Sequence, residues 1–133
     1  MLNQSGIEKV TGMTKKSIII DNKLMFATSC VIANTGVTAG GDGKKIVKAG
    51  TPLKGSLKAR NTAFTVAKKD DTGIVGILET DVDVTKGNAN GACIVFGFID
   101  ESKLDSSVVT LLDTANTDST KIRDHLAMIT FIK

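Results

Sequence analysis

The sequence predicts a mainly β protein: a small β barrel or sandwich with one or two short helices near the C-terminus and an N-terminal arm. Three observations carry this reading. Two apolar, β-branched runs, residues 73–84 and 92–99, flank a turn made of Lys86, Gly87, Asn88, Ala89, Asn90 and Gly91, the pattern of a large hairpin. Thirteen glycines and one proline, Pro52, suit a chain with many tight turns and few rigid linkers. The hydrophobic fraction of 41% is Ile, Val, Leu and Ala, with five Phe and no Tyr or Trp, so the core must be aliphatic. At 133 residues the chain has the length of one domain.

Residues 1–16 are polar, with isolated apolar positions at Ile7, Val10 and Met13, and read as a flexible arm preceding a single domain over 17–133. Residues 17–21 are a short strand candidate, and 28–33 a second strand. Asn34-Thr35-Gly36 and Ala39-Gly40-Gly41-Asp42-Gly43 are turns. Residues 45–49 alternate in part and lead to Pro52, which argues for an edge strand or the entry to a turn. A strand over 62–67 precedes a Lys68-Lys69-Asp70-Asp71 turn. The run 73–84 ends in alternation, with Asp81 and Asp83 on one face and Val82 and Val84 on the other. Residues 92–99 are nearly all apolar, as expected of a central strand covered on both faces. Residues 100–104 suggest one helical turn, and 106–113 a short helix or a loop. A helix over 121–126, capped by Ser119 or Thr120, and a closing strand over 128–132 complete the pattern.

Charge is unevenly placed. Residues 1–69 hold 12 Lys/Arg against 3 Asp/Glu, and residues 70–133 hold 5 against 11. Such asymmetry fits either two solvated faces or complementary surfaces that meet across an interface. No apolar run approaches the roughly 18 residues needed to cross a bilayer. Ile18-Ile19-Ile20 lacks the length and flanks of a signal peptide, so no membrane partner is expected. Cys30 and Cys93 lie in apolar strands without CxxC spacing and are expected to be free, buried thiols; a disulfide requires neighbouring strands.

No motif for catalysis or ligand binding is complete in this sequence. Asp81-x-Asp83-x-Thr85 resembles the start of a calcium loop, but the sixth and twelfth positions hold Lys86 and Ala92 where glycine and glutamate are needed. Gly40-Gly41-Asp42-Gly43-Lys44-Lys45 has Thr38 and Lys45 where a phosphate loop needs glycine and a hydroxyl. His125 is the only histidine, and no Gly-x-Ser-x-Gly elbow accompanies it. The five Phe lie in segments that read as core, which removes the aromatic platforms of a single-strand nucleic-acid reader. No catalytic residue, metal, cofactor or nucleic-acid partner is expected.

One resemblance gives this silence a meaning. The set Ala49-Gly50-Thr51-Pro52-Leu53, Gly76-Ile77-Leu78, Asp81-Val82-Asp83-Val84-Thr85 with Gly87 and Ala89-Asn90-Gly91, then Gly97-Phe98-Ile99-Asp100 with Lys103-Leu104, resembles the head decoration proteins of tailed bacteriophages, the lambda-type group. The likeness spans residues 46–104, with a weaker echo in 128–132. It implies a β-rich, often trimeric domain that sits outside an assembled capsid in the virion and cements the head, with no enzymatic activity. It also implies an arm that orders against the major capsid protein lattice, here through Ile7, Val10, Ile18, Ile19 and Ile20. The alternative from another class is a β-rich adhesion or receptor-binding module on a virion, which needs exposed aromatic residues. A small hydrolase requires Asp81, Asp83 and His125 to converge.

Overall fold

One twelve-residue strand organises the described residues, 17–21 and 23–133 of a computed structural model. The strands in chain order are β1 (Phe26–Ile32), β2 (Ile46–Val47), β3 (Pro52–Lys54), β4 (Thr65–Val66), β5 (Ile74–Leu78), β6 (Val82–Asp83), β7 (Ala89–Asp100) and β8 (Ile129–Ile132). A 3₁₀ turn at Glu101–Lys103, helix α1 (Ser106–Leu112) and a second 3₁₀ turn at Ile122–His125 lie between β7 and β8. The protein is mainly β. The predicted arm over residues 1–16 lies outside the described residues.

The long strand β7 is the hub. Its neighbours give the sheet the order β1-β7-β5-β3-β4, all antiparallel, and β8 joins β7 in parallel. Beyond Phe96, β8 takes one edge of β7 and Ile18, Ile19 and Ile20 take the other. The β5–β7 pair is the predicted hairpin, but its first arm stops at Leu78 and its second starts at Ala89. Residues 82–83 peel away to form a separate two-stranded sheet with β2. Side chains explain the departure. Asp81 Oδ1 accepts from Ala49 N at 2.8 Å and Thr85 Oγ1 from Lys45 N at 2.8 Å, while Val84 N donates to Lys45 O. Alternation in 81–84 therefore marks an edge pairing, not an extension of the hairpin.

Gly76 shows how closely β5 and β7 approach. A Cβ there would lie 2.2 Å from Ile94 O and 2.6 Å from Cys93 Sγ, so only glycine fits.

The sheet curls until its two ends touch. Phe64, just before β4, forms a parallel bridge with Ile32: Phe64 N donates to Val31 O at 2.7 Å, and Ala33 N to Phe64 O at 2.9 Å. The seam is one residue long. After it β1 turns away through Asn34, with Val37 N donating back to Asn34 O. Of the barrel or sandwich expected, no closed barrel forms among the described residues; the sheets are open. Inside the curl, Cys30, Ile32, Leu53, Phe64, Leu78 and Cys93 pack with Val82 and Val84. On the other face, Ile18, Ile77, Ile94 and Ile99 pack against Leu104, Val108, Leu112 and Ile129.

Helix α1 forms where 106–113 permits helix or loop. Asp105 caps it by accepting from Ser107 N, and Val108 and Leu112, one turn apart, bury the same stripe. The second turn is 3₁₀ and not α. Lys121 is its N-cap, with Lys121 N donating to Asp124 Oδ2 at 2.8 Å and Ile122 N to Thr114 O at 3.1 Å, so neither Ser119 nor Thr120 serves as the cap. Arg123 fastens this tail. Its Nη1 donates to the buried Glu101 Oε1 at 2.7 Å, and its guanidinium stacks 5.0 Å from the Phe131 ring centroid. Nε lies 2.8 Å from Asp113 Oδ1, close enough for ion pairing but without hydrogen-bond alignment.

Candidate interaction surface

Ile18, Ile19 and Ile20 reach the domain as an edge segment on β7. Ile20 N donates to Phe98 O at 3.1 Å, Asp100 N donates to Ile18 O at 2.8 Å, and Ile19 bridges Ile99. Their side chains divide. Ile18 is buried in the protein's own core and Ile19 is half-buried against it, whereas Ile20 is 50% exposed. Of the residues expected to form the arm contact, Ile20 alone among the described ones presents its side chain outward. Ile7 and Val10 lie outside the described residues.

The ground beside Ile20 is apolar because of a β-bulge. Ala27 pairs with Ile94 but Phe26 pairs with Phe96, which leaves Val95 without a partner. One extra residue reverses which side chains face which side of the sheet. Ile94 and Ile99, five residues apart, accordingly share one core cluster, which a regular strand would forbid. The same shift leaves Gly97 and Ile99 buried and turns Phe96 outward, with Phe98 half-buried beside it.

Phe26 and Phe96 are both exposed, at 58% and 37%. The reading of all five Phe as core is therefore wrong for these two, whereas Phe64 is fully buried. Ile132, opposite Asp100, and Leu24 and Met128, on either side of Gly97, are exposed at the same end of the molecule. Apart from Leu57, every large exposed hydrophobic among the described residues belongs to this end. Single exposed apolar side chains are ordinary, whereas a group of them at one end is a candidate contact surface. These side chains are already about half covered, so complete burial of each by a partner would contribute about 1 kcal/mol. The bulge leaves no signal in the sequence, because it is a difference in residue count between two paired strands.

At the rim, Asp100 is held below the usual carboxylate range, chiefly by the Ser102 hydroxyl donating to it. This fixes an ionised group beside the apolar end.

The remaining candidates are scattered. Asp81 is committed to Ala49 N, Asp83 to Thr85, and His125 Nε2 lies 3.2 Å from Asn116 Nδ2. No group of three or more His, Cys, Asp or Glu among the described residues is placed to hold a metal ion. Among the same residues, no helix is long and apolar enough to cross a membrane. The glycine run is a tight turn, with Gly43 N donating to Gly40 O and Lys44 N to Asp42 Oδ1. Cys30 and Cys93 occupy neighbouring strands, diagonal to one another, and both are free and buried. Burial and then the neighbouring Cys30 push the Cys93 thiol up to about 12; burial also raises Cys30, opposed by Arg60.

Compared with known proteins, the chain matches no protein-family model and no curated protein.

Proposed function

We propose that this protein is a structural virion protein that binds the outside of an assembled phage capsid and cements the head. The observation that carries the reading is the placement of Ile20: the chain joins the domain beside an exposed apolar end, so an N-terminal contact and a globular contact fall on one side of the molecule. The motif set between Ala49 and Leu104 supports it, and so does the nearly closed β curl, which suits a small barrel-like decoration domain. In this reading Ile18 and Ile19 anchor the arm, while Ile20 with Ile7 and Val10 reaches the major capsid protein. No catalysis is required.

A capsid lattice is a repeating partner. Ordering an arm costs about 1–2 kcal/mol per residue, so one arm binds weakly. A trimer that presents three arms gains ~10²–10⁴ in effective affinity when all three sites are spaced correctly. Only the assembled shell offers that spacing, and ligation of the assembled state stabilises it by mass action. The test is to mix the purified protein with expanded heads that lack a decoration protein, and to sediment them. Co-sedimentation with expanded heads and greater resistance of those heads to heat are expected; failure to bind overturns the reading.

Exposed Phe26 and Phe96 favour one second reading, a virion adhesion module that presents this aromatic pair to a host-surface protein or glycan. Binding to host cells by the isolated protein, without binding to heads, selects it.

A further inference from the structure

The seam between β1 and β4 opens directly into a furrow, and the furrow carries a strand edge that is unpaired among the described residues. In the β3–β4 ladder, Ala67 N donates to Pro52 O, so residues 52 and 67 form a hydrogen-bonded pair. Val66 opposite Leu53 must then be the non-bonded pair, with its N–H and C=O directed away from β3. Phe64, two residues earlier, uses the same edge to bond Val31 and Ala33. At Val66 the partner strand is gone, because β1 has turned away, and its peptide groups have no partner among the described residues. Two adjoining hollows meet there, of about 440 Å³ and 350 Å³, sharing Gly36, Val66 and Leu111.

The rim is basic. Lys48, Lys54, Lys68 and Lys69 line the furrow. Asp71, the carboxylate in its wall, is already engaged by Lys54 Nζ at 3.3 Å and Lys68 N at 2.8 Å, and Lys48 lies 3.8 Å from Asp105. Lys68 and Lys69 have no ion-pair partner among the described residues. The floor is aliphatic, with Val37, Val47 and Val108 beside Val66. No aromatic ring lines it, so bases have nothing to stack on. The chain's own first sixteen residues carry Lys9, Lys15 and Lys16 against Glu8, the wrong charge for this rim.

We propose that the furrow docks an extended acidic peptide segment of a partner protein, which pairs with β4 at Val66, extends the seam and sets its carboxylates against Lys68 and Lys69. Main-chain pairing supplies affinity and the alternating side chains supply choice: apolar toward the floor, acidic toward the rim. This site is separate from the apolar end around Phe26, and it does not depend on the capsid reading.

The test uses the full-length protein and a fluorescein-labelled octapeptide of alternating Val and Glu, followed by anisotropy. Its Val-Lys counterpart and labelled octathymidylate are comparators. The Val-Glu peptide is expected to bind at least about tenfold more tightly than either comparator, with affinity falling as salt rises. The Lys68→Glu/Lys69→Glu double variant is expected to lose about tenfold. N-methylation of alternate residues of the peptide, which removes strand pairing without touching the protein, is expected to abolish binding. Equal binding of octathymidylate or the Val-Lys peptide, indifference to charge reversal, or indifference to N-methylation each overturns the proposal.

Discussion

Phe26 stands directly across from Phe96 on β1 and β7, and both rings face solvent. An exposed cross-strand aromatic pair adds little to folding where it stands, so its truncation separates binding from stability. The Phe26→Ser/Phe96→Ser variant is expected to keep its unfolding free energy within about 1 kcal/mol of the parent. Attachment to expanded heads is expected to fall at least about tenfold. Denaturant titration and co-sedimentation read the two effects; retained attachment would remove the apolar end from the interface.

Deletion of residues 1–16 gives the complementary experiment. Ile18 stays in the core and its carbonyl still receives Asp100 N, so the domain is expected to melt as before. Attachment is expected to weaken. Unchanged attachment would assign the contact wholly to the folded surface.

The Arg123–Glu101 pair predicts a large stability effect far from either surface. Arg123→Ala leaves Glu101, 8% exposed, without its main cation, because Lys133 Nζ stands 3.9 Å away on a largely exposed side chain. It also removes the contact with Phe131. The expected loss is about 3 kcal/mol, at the lower end for breaking a buried pair because Arg123 keeps some solvent contact. Urea unfolding measures it, and Arg123→Lys is expected to recover only part, since a point charge cannot reproduce the fork.

Acid should loosen the turn at Asp70. This residue has φ of 66°, and its carboxylate accepts from Thr117 N at 2.7 Å and Thr117 Oγ1 at 2.8 Å. The Thr117 backbone bond, then its hydroxyl, hold the Asp70 carboxyl below its ordinary value of 3.8. A depressed folded-state value means that the ionised group stabilises the fold above pH 3.8, and that this contribution disappears as pH falls through the lower folded value. Asp83, Asp100, Asp105 and Asp118 are depressed in the same direction, each chiefly by a Ser or Thr hydroxyl two residues on. Melting temperature is expected to drop steeply below pH 3.8, and Asp70→Asn to flatten part of that limb while lowering the plateau at neutral pH.

Gly76→Ala is expected to cost at least about 3 kcal/mol, because the added methyl meets backbone at Ile94 that cannot move aside without parting β5 from β7. Expression yield and thermal unfolding report it. A nearly unchanged melt would show that the two strands can separate freely.

Pattern reading recovered what local chemistry determines. The strand at 92–99 and the closing strand over 128–132 follow from composition within a few residues, and of the two states that 106–113 permits, helix or loop, the Asp105 cap selects helix. What it missed depends on the count of residues between distant partners. Nothing in Asp81-Val82-Asp83-Val84 reveals that it will pair with Ile46 and Val47 instead of prolonging the hairpin. Nothing in Phe26 or Phe96 distinguishes them from the buried Phe64, since all three sit among apolar neighbours. The seam at Ile32 and Phe64, and the edge at Val66 that has no partner among the described residues, are products of sheet curvature, which no window of sequence contains.

Val95, the unmatched residue of the bulge, decides polarity at one pole of the molecule by arithmetic alone. Shortening the chain there by one residue, with every other amino acid kept, would bring Phe96 and Phe98 inward and cast Ile99 out. A single-residue deletion would thus invert the pole, exchanging a sticky exterior for an overfilled interior.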